Sequence, residues 1–266
     1  MTSLKRIESV KNDRVKQWKK LHTKKGRERQ KAFLVEGFHL IEEALKEENI
    51  VMEMIVEELV SMPASWKIEN IPVYRVTKSV MREISETEHP QGIVAVCKTP
   101  NHDRFAFAEG KYLLIDSVQD PGNVGTMIRT ADSAGFHAVV LGKGSVDPFN
   151  GKVVRATQGS LFHLPVIQRE LKAVIQELNR HGVPVFGTVP TGGKHYREHE
   201  KRTSFAVLVG NEGEGISEQL LDLCDEKVSI PIYGKAESLN VAVAAGIFMY
   251  ELRANCDVKD TASHKS

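Results

Sequence analysis

Residues 230–253 read IPIYGKAESLNVAVAAGIFMYELR, and the fold follows from what this stretch has to do. A short apolar run meets a loop, and the loop becomes a helix with Glu237, Ser238 and Asn240 at its mouth. Ser238 is expected to cap that helix, because a hydroxyl accepts a hydrogen bond from a free first-turn N–H. Beyond the mouth, VAVAAGIFMY is apolar almost all round, so the helix is expected to be buried. Burial fixes its N-terminus, and a fixed, positive helix end suits polar ligands. A capped helix with two polar residues facing water fits this stretch alone equally well.

Two further stretches favour a site. Residues 112–135, YLLIDSVQDPGNVGTMIRTADSAG, run from a strand pattern ending at Asp116 through a Pro-Gly turn that delivers Asn123 to a helix start, with Arg129 less than two turns in. Residues 205–216, FAVLVGNEGEGI, form a buried-strand pattern that stops at Gly210 and presents Asn211 and Glu212. Open α/β sheets place ligands just beyond their strand ends. Asn123 with Arg129, then Glu212, then Ser238 with Asn240 are therefore expected to share one composite site.

Around these stretches the sequence alternates. Strands are expected at 112–115, 138–141, 161–166, 183–188 and 204–209, and helices at 124–134, 151–159, 170–180 and 216–223, with the final helix after them. Such alternation means an α/β fold with a mostly parallel sheet covered on both faces. Upstream, FLVEGFHLIEEALKEE from Phe33 reads as a strand, a turn at Gly37 and an amphipathic helix; strand-like runs follow at 52–56, 73–76 and 93–97. This predicts a small α/β domain over 1–100, a polar linker at 101–110, a larger domain over 111–255 and a polar tail at 256–266.

The net charge of +1 hides a local excess. Between residues 1 and 31 there are twelve basic side chains, from Lys5 to Lys31, against Glu8, Asp13 and Glu28 alone. Clustering at one end favours a polyanion, with RNA the first choice and a solvated face the second. Trp18 among the lysines either stacks on a base or anchors a helix, the second being commoner. No apolar run approaches the roughly 20 residues of a membrane span, and no signal-peptide pattern opens the chain, so a cytoplasmic protein is expected. Cys97, Cys224 and Cys256 are scattered and read as free thiols. His195, Glu198 and His199 spell HxxEH, but in a hydrophilic setting unsuited to a zinc helix, and no metal is expected. GNEGEG has the wrong order for a dinucleotide loop, and no GxxxxGK[ST] or GxSxG occurs.

NVGTMIRTADSAG, LVGNEGEGIS and IPIYGKAESLNVAVAAGI resemble, in order and spacing, the three motifs of the SpoU or TrmH-like RNA ribose 2'-O-methyltransferases of the SPOUT class. The resemblance covers residues 111–253, and LVEGFHLIEEAL resembles the RNA substrate-binding domain that precedes many such enzymes. It implies a SPOUT sheet with a trefoil knot formed by the loops after Gly210 and Ile230, and a homodimer whose site is completed at the interface. It implies S-adenosylmethionine as cofactor, held by Gly210, Ile230 and Leu239, with Thr188 a weaker contact. Arg129 would lie nearest the reacting hydroxyl, as a base or a phosphate clamp. Asn123 and Asn240 would orient the ribose or the Arg129 side chain, Glu212 would hold Arg129 or its neighbours, and Ser238 would touch the substrate or support a residue that does. Glu36 and His39 could touch RNA, but a strand-end carboxylate and a helix-start histidine are more often structural. Ribosomal RNA, specifically 23S, is the expected substrate; transfer RNA, or an idle ribosome-assembly role, remains open.

Overall fold

The computed structural model describes residues 4–254, so the expected tail and Cys256 lie outside the described residues. The chain first runs β1 (Leu4–Ile7), α1 (Asp13–Lys20), α2 (Lys24–Gln30), β2 (Ala32–Glu36), α3 (Phe38–Lys46), β3 (Val51–Glu57), β4 (Val73–Val76), α4 (Lys78–Ile84) and β5 (Ile93–Lys98). It continues through β6 (Lys111–Ile115), α5 (Pro121–Ser133), β7 (Ala138–Leu141), α6 (Gly151–Thr157), α7 (Ser160–His163), β8 (Val166–Gln168) and α8 (Leu171–Arg180). It ends with β9 (Val185–Thr188), β10 (Lys194–His195), β11 (Phe205–Val209), α9 (Glu218–Leu221), β12 (Glu226–Ser229) and α10 (Val241–Glu251). Two compact units emerge. The first holds the chain through Arg104 together with 120–129 and 146–165; the second holds 105–119, 130–145 and the residues from 166 onward.

The first unit is a mixed sheet in the order β1-β4-β3-β5-β2, with β5 antiparallel to both its neighbours. Its core joins Val15, Trp18 and Leu21 of the basic segment to Ile55, Tyr74, Met81 and Val94. Trp18 is therefore an anchor. It is 2% exposed, donates its indole N–H to Glu53 Oε2 at 2.9 Å and meets Tyr74 edge-on. Gly26 backs α2 onto the end of α1, where a Cβ would stand 1.8 Å from the Lys20 carbonyl oxygen. Glu36 accepts from the Glu86 N–H and the Thr87 hydroxyl, while exposed His39 meets the Gln158 carbonyl at 3.2 Å.

Arg27 is the one buried cation of the described chain. Its Nε and Nη2 donate to Asp147 Oδ2 at 2.8 and 2.6 Å, and its Nη1 donates to the carbonyls of Leu21 and His22. It thereby ties α2, through its own side chain, to the segment leading into α6. At the rim of the same unit Glu86 meets His22 Nδ1 at 3.0 Å and Arg155 Nη1 at 3.2 Å. The hydrogen bond from His22 does most to hold the Glu86 carboxyl below its ordinary value, burial opposes it, and Arg155 adds to the depression.

The second unit is an all-parallel sheet, β10-β12-β9-β11-β6-β7-β8. Its central strands are buried along their length, as strands covered on both faces must be. On α8, Leu171, Val174, Ile175 and Leu178 make an i, i+3, i+4, i+7 stripe packed with Leu114, Val140 and Leu208. Burying each such side chain contributes about 1.5–3 kcal/mol.

Several expectations are corrected. Residues 161–166 are not one strand: α7 fills 160–163 and β8 starts after Pro165. A short apolar run has no period of its own, and the left-handed Gly159 lets the chain re-enter helix. The hydrophilic stretch at 194–195 is an edge strand, and β12 is a strand with only Val228 buried, too weak a pattern to read. The helix at 216–223 shrinks to one turn, Glu218–Leu221. Arg27→Met, which leaves Asp147 nearly buried without its cation, is expected to lower stability by about 3 kcal/mol in urea unfolding.

Candidate active site

The order of the parallel sheet reverses between β11 and β6: from β6 the chain steps outward to β7 and β8, while β9, β12 and β10 lie on the other side. Such a reversal opens a crevice at the carboxyl ends of the strands. Asp116, directly after β6, is buried there; its N–H bonds to the Val209 carbonyl at 2.8 Å. Its Oδ1 accepts from the Ser117 hydroxyl at 3.0 Å and its Oδ2 from the Ser217 N–H at 2.9 Å. Asn211 completes the tie. Its Nδ2 donates to the Ser117 carbonyl at 2.8 Å, its Oδ1 accepts from the N–H groups of Gly213 and Glu214, and its backbone pairs in both directions with Gly215. The GNEGEG loop is thus closed on itself and pinned to β6, with Glu212 exposed at its tip. Gly210 permits the closure, because a Cβ there would stand 2.1 Å from the Gly215 carbonyl carbon and the Ile216 nitrogen.

The helix of the opening stretch begins later than expected. Asn240, not Ser238, caps α10, its Oδ1 accepting from the N–H groups of Ala242 at 2.9 Å and Val243 at 3.3 Å. Asparagine and serine are equally good caps, so rank alone could not choose between residues two apart. Ser238 lies in an exposed run from Tyr233 to Asn240. Nor is α10 buried all round. Ala242, Ala245, Phe248 and Met249 face the core, whereas Val243 is 53% and Tyr250 49% exposed. Thr188 ends β9, Gly210 follows β11 and Ile230 follows β12, so three adjacent strands deliver these positions to one edge; Leu239, 38% exposed, precedes α10.

Asn123 and Arg129 stand on α5, in the part that clusters with the first unit. Asp120 closes the start of this helix, its Oδ1 accepting from the Asn123 N–H at 2.7 Å and its carbonyl from Val124, with Pro121 at the first helical position. Arg129 is exposed, two turns further on. Sequence reasoning passed over Asp116, Asn211 and Asp120 as site-building residues. A buried carboxylate at a strand end and an Asp-Pro pair before a helix were the available signals. The HxxEH residues do not share a helix face: His195 lies on β10, and His199 packs edge-on to Phe186 with Nδ1 3.1 Å from Glu226. No group of three or more metal-ligating side chains occurs among the described residues. Cys97 and Cys224 are free, and burial, then Asp225, pushes the Cys224 thiol up to about 12.

The sheet, its reversal and the three motif loops can now be set beside known proteins. Residues 110–250 match the model of the SpoU rRNA methylase family. The chain belongs to the SpoU rRNA methylase family. Residues 12–95 match the model of the MRM3-like substrate binding domain. The chain is 51% identical over 94% of its length to the whole of the 23S rRNA (guanosine(2553)-2'-O)-methyltransferase RlmP of Bacillus subtilis. Among solved SpoU-type structures, the AdoMet-bound rRNA methyltransferase of Sinorhizobium meliloti superposes with a TM-score of 0.84 at 32% identity, covering 94% of this chain and 97% of that one. The AdoMet complex of AviRb from Streptomyces viridochromogenes gives 0.82 at 29% identity, covering 91% and 97%.

In this SpoU-family chain, Asp116→Ala frees the Ser217 N–H and leaves the Ser117 hydroxyl the Lys143 carbonyl as its acceptor. It is expected to cost about 1–3 kcal/mol and to raise hydrogen exchange selectively across residues 210–217.

Proposed function

We propose that this protein methylates a ribose 2'-hydroxyl of 23S ribosomal RNA with S-adenosylmethionine, at the guanosine for which its Bacillus subtilis relative is named. The observation that carries this reading is the end-to-end likeness to that enzyme, which spans both the motif region and the preceding domain. Residues 1–100 serve as the RNA substrate-binding domain and 111–255 as the methyltransferase domain. The loops after Gly210 and Ile230 form the trefoil knot. The setting is the cytoplasm; among the described residues no helix is long and apolar enough to cross a membrane.

The residues present suit the cofactor. An adenosyl group needs apolar contact on its ring faces and backbone or hydroxyl partners at its edges. Half-buried Ile230 and Ile232, exposed Leu239 and the Thr188 hydroxyl offer that chemistry at adjoining strand ends, and Gly210 brings bare backbone to the same edge. When bound, S-adenosylmethionine supplies an electrophilic methyl group. The chain's own residues supply the rest. Arg129 clamps the phosphate beside the target ribose through its planar fork; a guanidinium surrenders a proton too reluctantly to serve as the base. Asn240 already spends its amide oxygen on α10, so it orients the ribose through Nδ2, and Asn123 orients it from the first turn of α5. Glu212 keeps the cationic side of the site in position, and Ser238 meets the substrate. Alignment is worth roughly 7–11 kcal/mol here, more than the 10²–10⁴-fold, about 3–5 kcal/mol, of positioned proton transfer.

The protein acts as a homodimer. Val243 and Tyr250, with half-buried Ile247 between them, give α10 an outward apolar face that a second copy would cover.

Ribose-methylation mapping of ribosomal and transfer RNA from cells lacking the gene should show a single lost 23S guanosine. Arg129→Ala should fail to restore it, with methylation in vitro down by at least about a hundredfold. A lost transfer-RNA site would overturn the substrate, and no lost site the reaction. Light scattering should give twice the chain mass for the protein, and half of that for a Val243→Glu/Tyr250→Glu variant.

A further inference from the structure

Twelve basic residues crowd the start of the chain, and the structure separates those used internally from those that are not. Arg6 pairs with Glu58 and Glu8, Arg14 with Glu53, Lys16 with Asp13 and Lys19 with Glu83, while Arg27 is buried on Asp147. Lys24 has only a 4.0 Å contact with Glu28, the single acidic residue between residues 20 and 31. Lys5, Lys11, Lys20, Lys25, Arg29 and Lys31 are exposed, and among the described residues none of them has a carboxylate partner; the last four gather between residues 20 and 31. They end α1, open α2, close α2 and follow it.

This stretch breaks local rules in one direction. Lys24 and Lys25 place positive charge in the first turn of α2, against the helix dipole. Lys31 takes a left-handed conformation, φ 50°, where glycine or asparagine is the ordinary choice. Meanwhile Gly26 lets α2 close onto Lys20, and buried Arg27 locks the corner, so the four cations are carried on a rigid frame. From residue 13 to residue 31, where α1 and α2 lie, the apolar side chains Val15, Trp18 and Leu21 all point inward. The outer face therefore offers charge and donors with no apolar anchor, which suits a phosphate backbone and not a protein partner.

We infer that the α1–α2 corner is an RNA phosphate-binding tract, with Lys20, Lys25, Arg29 and Lys31 as its contacts and the paired cations as its frame. The inference rests on the RNA substrate proposed above and adds where, outside the methyl-transfer residues, that RNA is gripped. Because the grip is to phosphate, it sets affinity and salt dependence and not the choice of nucleotide.

The test is filter binding of the full-length protein to an in vitro transcribed 23S rRNA over a range of salt concentrations. The variant Lys20→Gln/Lys25→Gln/Arg29→Gln/Lys31→Gln is compared with a surface control, Lys172→Gln/Arg180→Gln on α8. The quadruple variant should reduce the slope of log Kd against log salt by about 3, at roughly 0.7–0.9 per lost phosphate contact. It should weaken binding at least about tenfold near 0.1 M salt, leaving melting temperature and S-adenosylmethionine affinity unchanged. Lys20→Arg/Lys25→Arg/Lys31→Arg should retain the parent slope. A parent that binds the transcript, with the quadruple variant matching it in slope and affinity, overturns the tract while sparing the RNA reading. Weaker binding at an unchanged slope also overturns it. A parent that binds no RNA removes both.

Discussion

Two side chains at the reversal of the parallel sheet, Asp116 and Asn211, hold the carboxyl-terminal working edge in shape. A parallel strand ends with backbone groups its neighbours no longer satisfy, and a loop leaving it has many conformations open to it. Asp116 and Asn211 remove that freedom by joining the end of β6 to the loop after β11 through hydrogen bonds of 2.8 and 2.9 Å. Because Asp116 is buried, each bond forms where water competes poorly, and breaking one strands a partner. Gly210 then lets the loop fold flat against itself, and the methylase edge presents backbone in place of side chains.

The same economy of fixed groups appears in the amino-terminal unit. Arg27 spends its entire guanidinium inside the protein, on one carboxylate and two carbonyls, and so turns two short helices into a frame. Helices of eight and seven residues would be marginal alone. Here Trp18 anchors α1 to the sheet, Gly26 and Arg27 lock α2 against the end of α1, and their remaining cations become surface chemistry on a rigid support.

Much of the fold was legible. β7, β11 and β6 after Lys111 announced themselves as unbroken apolar runs, and α8 as a four-residue stripe at helical spacing. The failures have physical causes. Edge strands such as β10 bury little, so their sequence carries no alternation, and residues 161–166 were too short for any period to separate helix from strand. Trp18 shows the converse. Surrounded by lysines it could have been a ligand platform, and only the position of Glu53, far along the chain, made it an anchor.

By itself, the sequence determined the parallel α/β architecture and the order of the three motifs, and it nominated Asn123, Arg129, Glu212, Ser238 and Asn240 as site candidates. Periodicity and strand-end chemistry are local, and each is written within a dozen residues. Only the tertiary structure decided that Asn240 and not Ser238 caps α10, that one face of that helix stays exposed, and which of twelve cations are already neutralised. Those outcomes depend on partners tens of residues away: a cap is chosen by where the loop ends, a face by what packs on it, and a charge by the carboxylate the fold brings beside it.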